Sequence, residues 1–421
     1  MLKKSPILAL LPFWLFVFLF KFAAGLHYTL LSPLGERIIP VWIVGIIIGA
    51  ASLGQLIFDV PAGFILDRFG YIRMLTIGTG IFFLGAVALF FGLTIVTYSI
   101  TIFFSFLGWL FFGPGINAYT LLQAPQTAGG RYMGIQHASA SLGIVCASIA
   151  LIFLIHAPAI VIGSVIALIF VLAIIAIAQA KKDHDTVSIT GEKREHKSYY
   201  VRRKTLSKIL PAMARLNPAS AILAFQDFAG SVFYGVIWFV VPLVIAEQQS
   251  AGALSLGLGV FDLSVVLLGA LLGKIADRYD KKILIFLGLF CFAAFGVFLG
   301  FSFNIIFLVL GFLTTTGDEM SSASLWSWLE ELDTQHEEDG LINGVITFFD
   351  DLGWTVGPVI AGFLFETVGP SRAIAIGAIP IFASWLFAIM FLHGKNPPRP
   401  ALVAASEKPT NRKPIRHRHK K

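Results

Sequence analysis

Apolar residues run in long blocks along this chain, separated by short polar breaks, and most blocks are long enough to cross a bilayer. A spanning helix needs about 20 mostly apolar residues. That length predicts helices near 6–31, 38–66, 72–93, 95–122, 135–156 and 157–180, then 218–246, 253–276, 282–303, 304–330, 341–365 and 371–393. Two turns are short and rest on His156-Ala157-Pro158 and Ser302-Phe303-Asn304. The pattern predicts an all-α membrane protein whose twelve transmembrane helices form two pseudo-symmetric six-helix bundles. The first bundle would span 1–180 and the second 218–393, joined by a cytoplasmic linker over 181–217 and followed by a basic cytoplasmic tail over 394–421. The linker shows no apolar face before Leu206-Ile209-Leu210-Met213. The tail, with Pro397-Pro398-Arg399-Pro400 and a closing basic run, reads as disordered and attracted to lipid.

Composition agrees with the bilayer. The chain is 57% hydrophobic and 13% charged, far less charge than a soluble surface of 421 residues requires. The net charge of +7 would suit nucleic acid, but its distribution argues for a membrane surface. Of 31 Lys and Arg, ten lie in 181–215 and nine in 395–421. With both termini on one side, that side receives 28 of the 31, leaving only Arg37 and Arg372 opposite and Lys21 inside a helix. The excess predicts cytoplasmic termini in a plasma (inner) membrane. Lys3 and Lys4 before Ile7–Phe20 imitate a cleavable signal, yet the apolar run continues to Leu31 and opens the first unit instead. Cys146 and Cys291 sit far apart in apolar runs, as small core residues rather than a disulfide or metal pair.

The two halves share a repeat. Gly63-Phe64-Ile65-Leu66-Asp67-Arg68-Phe69-Gly70-Tyr71-Ile72-Arg73 returns 210 positions later as Gly273-Lys274-Ile275-Ala276-Asp277-Arg278-Tyr279-Asp280-Lys281-Lys282-Ile283. The same offset pairs Gly130 with Gly340, Gly134 with Gly344, Leu142 with Leu352 and Gly143 with Gly353. One structural unit used twice, with a site between the copies, is a transporter architecture.

Charges inside the membrane show which helices meet something polar, because a charge at mid-bilayer costs a few kcal/mol unless it faces water or a partner. The third, sixth, ninth and twelfth helices carry none between their end loops, so they suit lipid. Lys21, Asp227, Asp262, Asp318, Glu319, Asp350 and Asp351 lie at depth in the others, with His137 in the fifth. Helical spacing groups Asp227, Ser231, Tyr234 and Trp238 on one face, Asn343, Thr347, Asp350 and Trp354 on another, and Trp14, Lys21, Gly25 and Tyr28 on a third. The Ser and Thr members also suit interhelical hydrogen bonding. Lys21-Phe22-Ala23-Ala24-Gly25 is matched with Asp227-Phe228-Ala229-Gly230, which predicts that Lys21 pairs with Asp227 first and Asp350 second.

The loop Gly63-x-x-x-Asp67-Arg68-x-Gly70 resembles the signature between the second and third helices of the major facilitator superfamily, and Gly273-x-x-x-Asp277-Arg278 its weaker copy. The resemblance covers essentially the whole chain and implies that fold, with two halves rocking about a central site. It implies that Gly63, Asp67, Arg68, Gly70, Gly273, Asp277 and Arg278 gate the cytoplasmic side. Arg73 would be the nearest basic residue after the first motif, and Arg131 a candidate partner in the 4/5 loop. Asp59-Val60-Pro61-Ala62-Gly63 is similar to a segment of exporter-like branches, making Asp59 a gate residue. Helix 5 lacks the Gly-Pro pair of the antiporter signature, and helix 11 has Gly357-Pro358.

These readings predict a secondary active transporter of a small organic solute, coupled to protons and working as an efflux carrier. Its cavity would be lined by Lys21, Tyr28, His137, Asp227, Tyr234, Trp238, Asp262, Asp318, Glu319, Asp350, Asp351 and Trp354, and its partners would be solute, protons and lipid. Carboxyl groups that pass between wet and dry surroundings change their proton affinity, and aromatic rings stack on cations. A monomer is expected, with no nucleic acid, cofactor or metal; His336-Glu337-Glu338-Asp339 reads as a solvated loop. Two alternatives stay open: a nutrient uptake symporter, and a non-transporting receptor or assembly partner on the same scaffold. An enzyme fits poorly, since Gly269–Lys274 has the wrong spacing for a phosphate loop and no catalytic triad can be assigned.

Overall fold

The computed structural model describes residues 10–124, 129–187, 218–247, 252–301, 303–332 and 339–392. Lys3 and Lys4, the linker's Leu206–Met213 segment, the His336-Glu337-Glu338 stretch and the tail from Gly394 lie outside the described residues. Within them the chain folds as α1 (Leu11–Glu36), α2 (Val41–Phe69), α3 (Tyr71–Ala88), α4 (Ile95–Gln123), α5 (Gly129–Leu154), α6 (Ala159–Val187), α7 (Pro218–Glu247), α8 (Gly252–Arg278), α9 (Lys281–Leu299), α10 (Ile305–Leu332), α11 (Asp339–Val368), α12 (Pro370–Gly377) and α13 (Ile379–Leu392). A short 3-10 turn, Leu89–Phe91, follows α3, and α12 with α13 makes the twelfth crossing. Helix α6 runs on to Val187, into the stretch expected as linker.

Among the described residues, ten helices are long and apolar enough to cross a membrane. The two that fall short are informative: α8 has only the apolar stretch Leu254–Gly269, and α10 carries Asp318 and Glu319 near its middle. Both trade hydropathy for polar groups directed inward. Helix α1 also differs from expectation, because it continues past Leu31 through Pro33 to Glu36. Proline removes one ladder donor, but the segment is buried, and the Tyr98 hydroxyl donates to Leu31 O at 2.9 Å beside it.

The internal repeat is visible in the packing. A Cβ on Gly143 would meet Phe18 O at 2.5 Å and Phe22 N at 2.9 Å on α1. A Cβ on Gly353 would meet Phe228 O at 2.5 Å and Val232 N at 3.0 Å on α7. Each residue of the second set is 210 above its counterpart. A similar pair recurs with a shift of one residue: Gly78 abuts Gly108 O, and Gly288 abuts Gly317 O. These glycines allow backbones to touch, which fixes the register of each bundle. That register makes Ser231 the counterpart of Lys21, and the fully buried Val17 the counterpart of Asp227. The match of Lys21 with Asp227 is therefore off by one helical turn: the short Phe-Ala-Gly likeness misled, because the glycine contacts, not that likeness, set the alignment.

The bundles meet along α1–α7, α2–α11 and α5–α8. Their close contacts gather at the end opposite the two Gly–Asp–Arg loops, called here the far end. Ser32 Oγ donates to Phe239 O at 2.8 Å, Thr355 Oγ1 lies 3.2 Å from Ser52 Oγ, and Trp42 N donates to Glu366 Oε1 at 3.2 Å. Gly45 and Gly49 on α2 admit Pro358 and Thr355 carbonyls, and Gly259 on α8 packs on Ser148. Toward the loops the inter-bundle helices loosen: among the described residues, Gly54, Gly134 and Gly269 have no neighbouring atom within 4 Å of where a Cβ would stand.

Between the loops' two copies, Gly70 has φ +89° and caps α3, a conformation that favours glycine. Its counterpart Asp280 takes φ −64°, and its carboxylate accepts from Lys282 N at 2.9 Å to cap α9. The missing glycine of the second motif is thus replaced by a different helix start. Arg68, Arg73 and Arg278 are exposed, Arg68 lying against the Phe69 ring. The side chains of Asp59, Asp67, Arg131 and Asp277, and the surroundings of Gly63 and Gly273, lie outside what the structure describes.

Candidate functional site

Closing the far end leaves a cavity of about 490 Å³ between the bundles. Its walls come from α1, α2, α4 and α5 on one side and α7, α8, α10 and α11 on the other. None of the lining residues belongs to α3, α6, α9, α12 or α13. The helices without internal charges are the ones the cavity leaves out.

The two walls differ in chemistry. The second bundle contributes five carboxylates: Asp262 from α8, Asp318 and Glu319 from α10, Asp350 and Asp351 from α11. The first contributes one ammonium, Lys21, among the rings of Tyr28, Phe106 and Trp109. Tyr234, Trp238, Phe239, Phe261 and Trp354 continue the aromatic lining on the acidic side.

Hydrogen bonds orient several of these acids. Tyr234 Oη donates to Asp318 Oδ2 at 2.8 Å, and Gln226 Nε2 to Asp318 Oδ1 at 3.0 Å. Gln226 Nε2 is also 2.8 Å from Ser321 Oγ and 2.7 Å from Ser322 Oγ, which locks α7 to α10 around that carboxylate. The Ser231 hydroxyl donates to Asp350 Oδ1. Ser141 Oγ, from the first bundle, donates to Asp262 Oδ1 at 3.3 Å. Charge-assisted bonds of this kind are the stronger class and fix rotamers.

Lys21 Nζ stands 4.5 Å from the centre of the Trp109 ring and 5.7 Å from that of Phe112. Its β-carbon packs on Gly143. Lys21 and Asp262 line the same cavity from opposite bundles, and the carboxylate charge that acts on the ammonium is that of Asp262 rather than Asp227 or Asp350.

Of the twelve cavity residues named from sequence, the structure brings Lys21, Tyr28, Tyr234, Trp238, Asp262, Asp318, Glu319, Asp350, Asp351 and Trp354 to one lining. Asp227 does not line it; it faces Asp350 and Asp318 from the same bundle. His137 does not line it either, being an exposed ring whose charged neighbour is Lys21. Trp14 is core, edge-on to Phe13 and Tyr132. Trp109, Gln55 and Gln226 were not singled out. Gln226 precedes Asp227, and the faces drawn through charged positions passed over its amide.

The family profile described as Major Facilitator Superfamily matches residues 7–332 and 223–420. An uncharacterised MFS-type transporter of Methanocaldococcus jannaschii is 24% identical over 345 residues, covering 80% of this chain and 85% of the relative. Among solved structures, the Escherichia coli fucose:proton symporter aligns with TM-score 0.55 and 18% identity, over 93% of this chain and 100% of the other. A nucleoside transporter aligns at 0.63 and 14%, over 91% and 98%. A POT family transporter solved with 5-aminolevulinic acid aligns at 0.64 and 14%, over 93% and 97%. At those identities the solved structures share the fold alone.

Proposed function

Because this chain belongs to the Major Facilitator Superfamily and is a membrane transporter of the secondary type, we propose that it carries a small, cationic organic solute coupled to protons, in the efflux direction. The observation that carries the substrate class is the wall of five carboxylates against one ammonium, set among aromatic rings. A cation entering this space meets opposite charge on one side and ring faces on the others.

In this reading Asp318 is the anchor for the solute's positive group, because Tyr234 and Gln226 hold it from both oxygens. Trp109, Trp238 and Trp354 supply stacking surfaces, and Tyr28 bounds the far side of the space. Glu319, Asp350 and Asp351 are the further candidates for carrying protons. With the Gly–Asp–Arg loops on the cytoplasmic side of a plasma membrane, as the Lys and Arg count favours, the conformation with its far end closed faces inward. The gate residues Asp59, Gly63, Asp67, Arg68, Gly70, Arg73, Arg131, Gly273, Asp277 and Arg278 would then close the opposite end when the bundles rock. The carrier acts as a monomer, since the cavity is complete within one chain.

Proteoliposomes carrying the purified protein test this reading. Ethidium, an aromatic cation, should move down an imposed pH gradient in wild type and stay put in Asp318→Asn. Movement that ignores the gradient would remove proton coupling. A preference for anionic or neutral solutes in a counterflow screen would remove the cationic class.

A further inference from the structure

Lys21 enters the cavity wall with its donors unused. An ammonium carries three N–H donors, yet among the described residues its Nζ makes no hydrogen bond and no ion pair. Its partners are ring faces of its own bundle, Trp109 at 4.5 Å and Phe112 at 5.7 Å. Ring faces lower the cost of holding a cation out of water, but they leave the N–H groups open. Asp262, whose charge acts on Lys21, lies beyond ion-pair distance and accepts instead from Ser141.

The acidic pole is held independently. Tyr234 and Gln226 fix Asp318 by both oxygens, and all three belong to the second bundle. Each pole is thus positioned by its own bundle, on facing walls of one cavity of about 490 Å³. A solute with positive charge alone suits the acidic wall. As it displaces water, however, it leaves the Lys21 ammonium desolvated without an acceptor, the costly state of a buried ion. An acid group on the same solute removes that cost. Five carboxylates face one ammonium, so positive groups outnumber acid groups in the solute that matches both walls.

We propose that the solute is an amphoteric organic cation, whose carboxylate is taken by Lys21 while its positive group meets Asp318. The proposal rests on the cationic reading above and adds the acid group and its partner. Such a solute bridges the two bundles across the cavity, with its aliphatic or aromatic body between the rings of Trp109 and Trp238.

Competition against ethidium on the purified full-length protein tests it. The probes are arginine, lysine and 4-aminomethylphenylalanine, each set against its own carboxamide. An amide carries one more net positive charge than its acid, so the acidic wall by itself favours the amide. In wild type at least one acid should nevertheless bind roughly tenfold or more tighter than its amide, the scale of a hydrogen bond between charged groups. Lys21→Met should reverse that order, and its binding of the amide shows that it has folded. Asp318→Asn should weaken acid and amide together. If wild type prefers every amide, or binds ethidium and none of the acids, the amphoteric class is overturned and the cationic reading stands. A preference for the acid that survives Lys21→Met overturns Lys21 as its partner. If wild type binds neither ethidium nor any probe, or Asp318→Asn binds them all as wild type does, the cationic reading fails and takes the proposal with it.

Discussion

Gly45 is where α2 of one bundle touches α11 of the other, backbone to backbone. An alanine methyl there would lie 2.4 Å from Pro358 O, 3.2 Å from Pro358 C and 3.3 Å from the Gly362 Cα. None of these atoms is the tip of a flexible side chain, so the contact cannot relax by a rotamer change. Since the two helices belong to different bundles, the clash is relieved by parting the bundles at the far end, by about 1 Å given an ordinary contact near 3.5 Å. Overpacking of this kind costs about 1–3 kcal/mol, which lowers the weight of the far-end-closed form by roughly 5- to 150-fold at RT of about 0.6 kcal/mol. The assay is the distance distribution between spin labels at Val96 and Arg372, exposed far-end positions on opposite bundles, in wild type, Gly45→Ala and Gly54→Ala. Gly54, on the same helix, has nothing within 4 Å among the described residues, so its alanine reports only the helix-propensity gain of about 1 kcal/mol. Gly45→Ala should move the population toward the open far end, and Gly54→Ala should not. Identical distributions in all three would refute the claim that this seam is the moving contact.

Further outcomes follow from single bonds. Gln226→Leu keeps the side chain's bulk but removes the donor to Asp318 Oδ1. At about 1.5–3 kcal/mol for a bond to a charged acceptor, ethidium affinity measured on purified protein should weaken roughly 10- to 150-fold. An unchanged Kd would separate Asp318 from solute binding. Glu366→Ala removes the carboxylate at the N-terminus of α2, an interaction of about 0.3–1 kcal/mol. The same label pair should then show a shift toward the open far end of about two- to fivefold, smaller than that of Gly45→Ala. Arg37→Ala deletes the guanidinium bonds to Ile155 O at 2.6 Å and Ala157 O at 3.0 Å. Both partners lie in the first bundle, so the thermal unfolding midpoint in detergent should fall while the Val96–Arg372 distance stays as in wild type.

Much of the candidate site is legible in the sequence itself, for a physical reason. A carboxylate at bilayer depth is tolerated only against water or a partner, so the positions of Asp262, Asp318, Glu319, Asp350 and Asp351 pointed inward by themselves. Neutral contributors carry no such penalty. Trp109 is one aromatic ring among the 40 Phe, 8 Trp and 9 Tyr of this chain, and nothing local marks it as the ring beneath Lys21. Gln226 shows the same limit at closer range. Its neighbour Asp227 has the charge, but α7 directs the amide toward Asp318 and leaves Asp227 off the cavity surface.

Hydropathy and the 210-residue repeat determined that the chain makes two similar groups of apolar helices and which helices stay free of internal charge, because both are set by transfer of side chains between water and hydrocarbon, one residue at a time. Tertiary structure alone decided the register between copies, which matches Lys21 with Ser231 rather than Asp227, and the end at which the bundles close. Those depend on glycine contacts such as Gly143 with Phe18 and Gly45 with Pro358. Short-range packing between residues hundreds of positions apart leaves no periodic trace in the chain that encodes it.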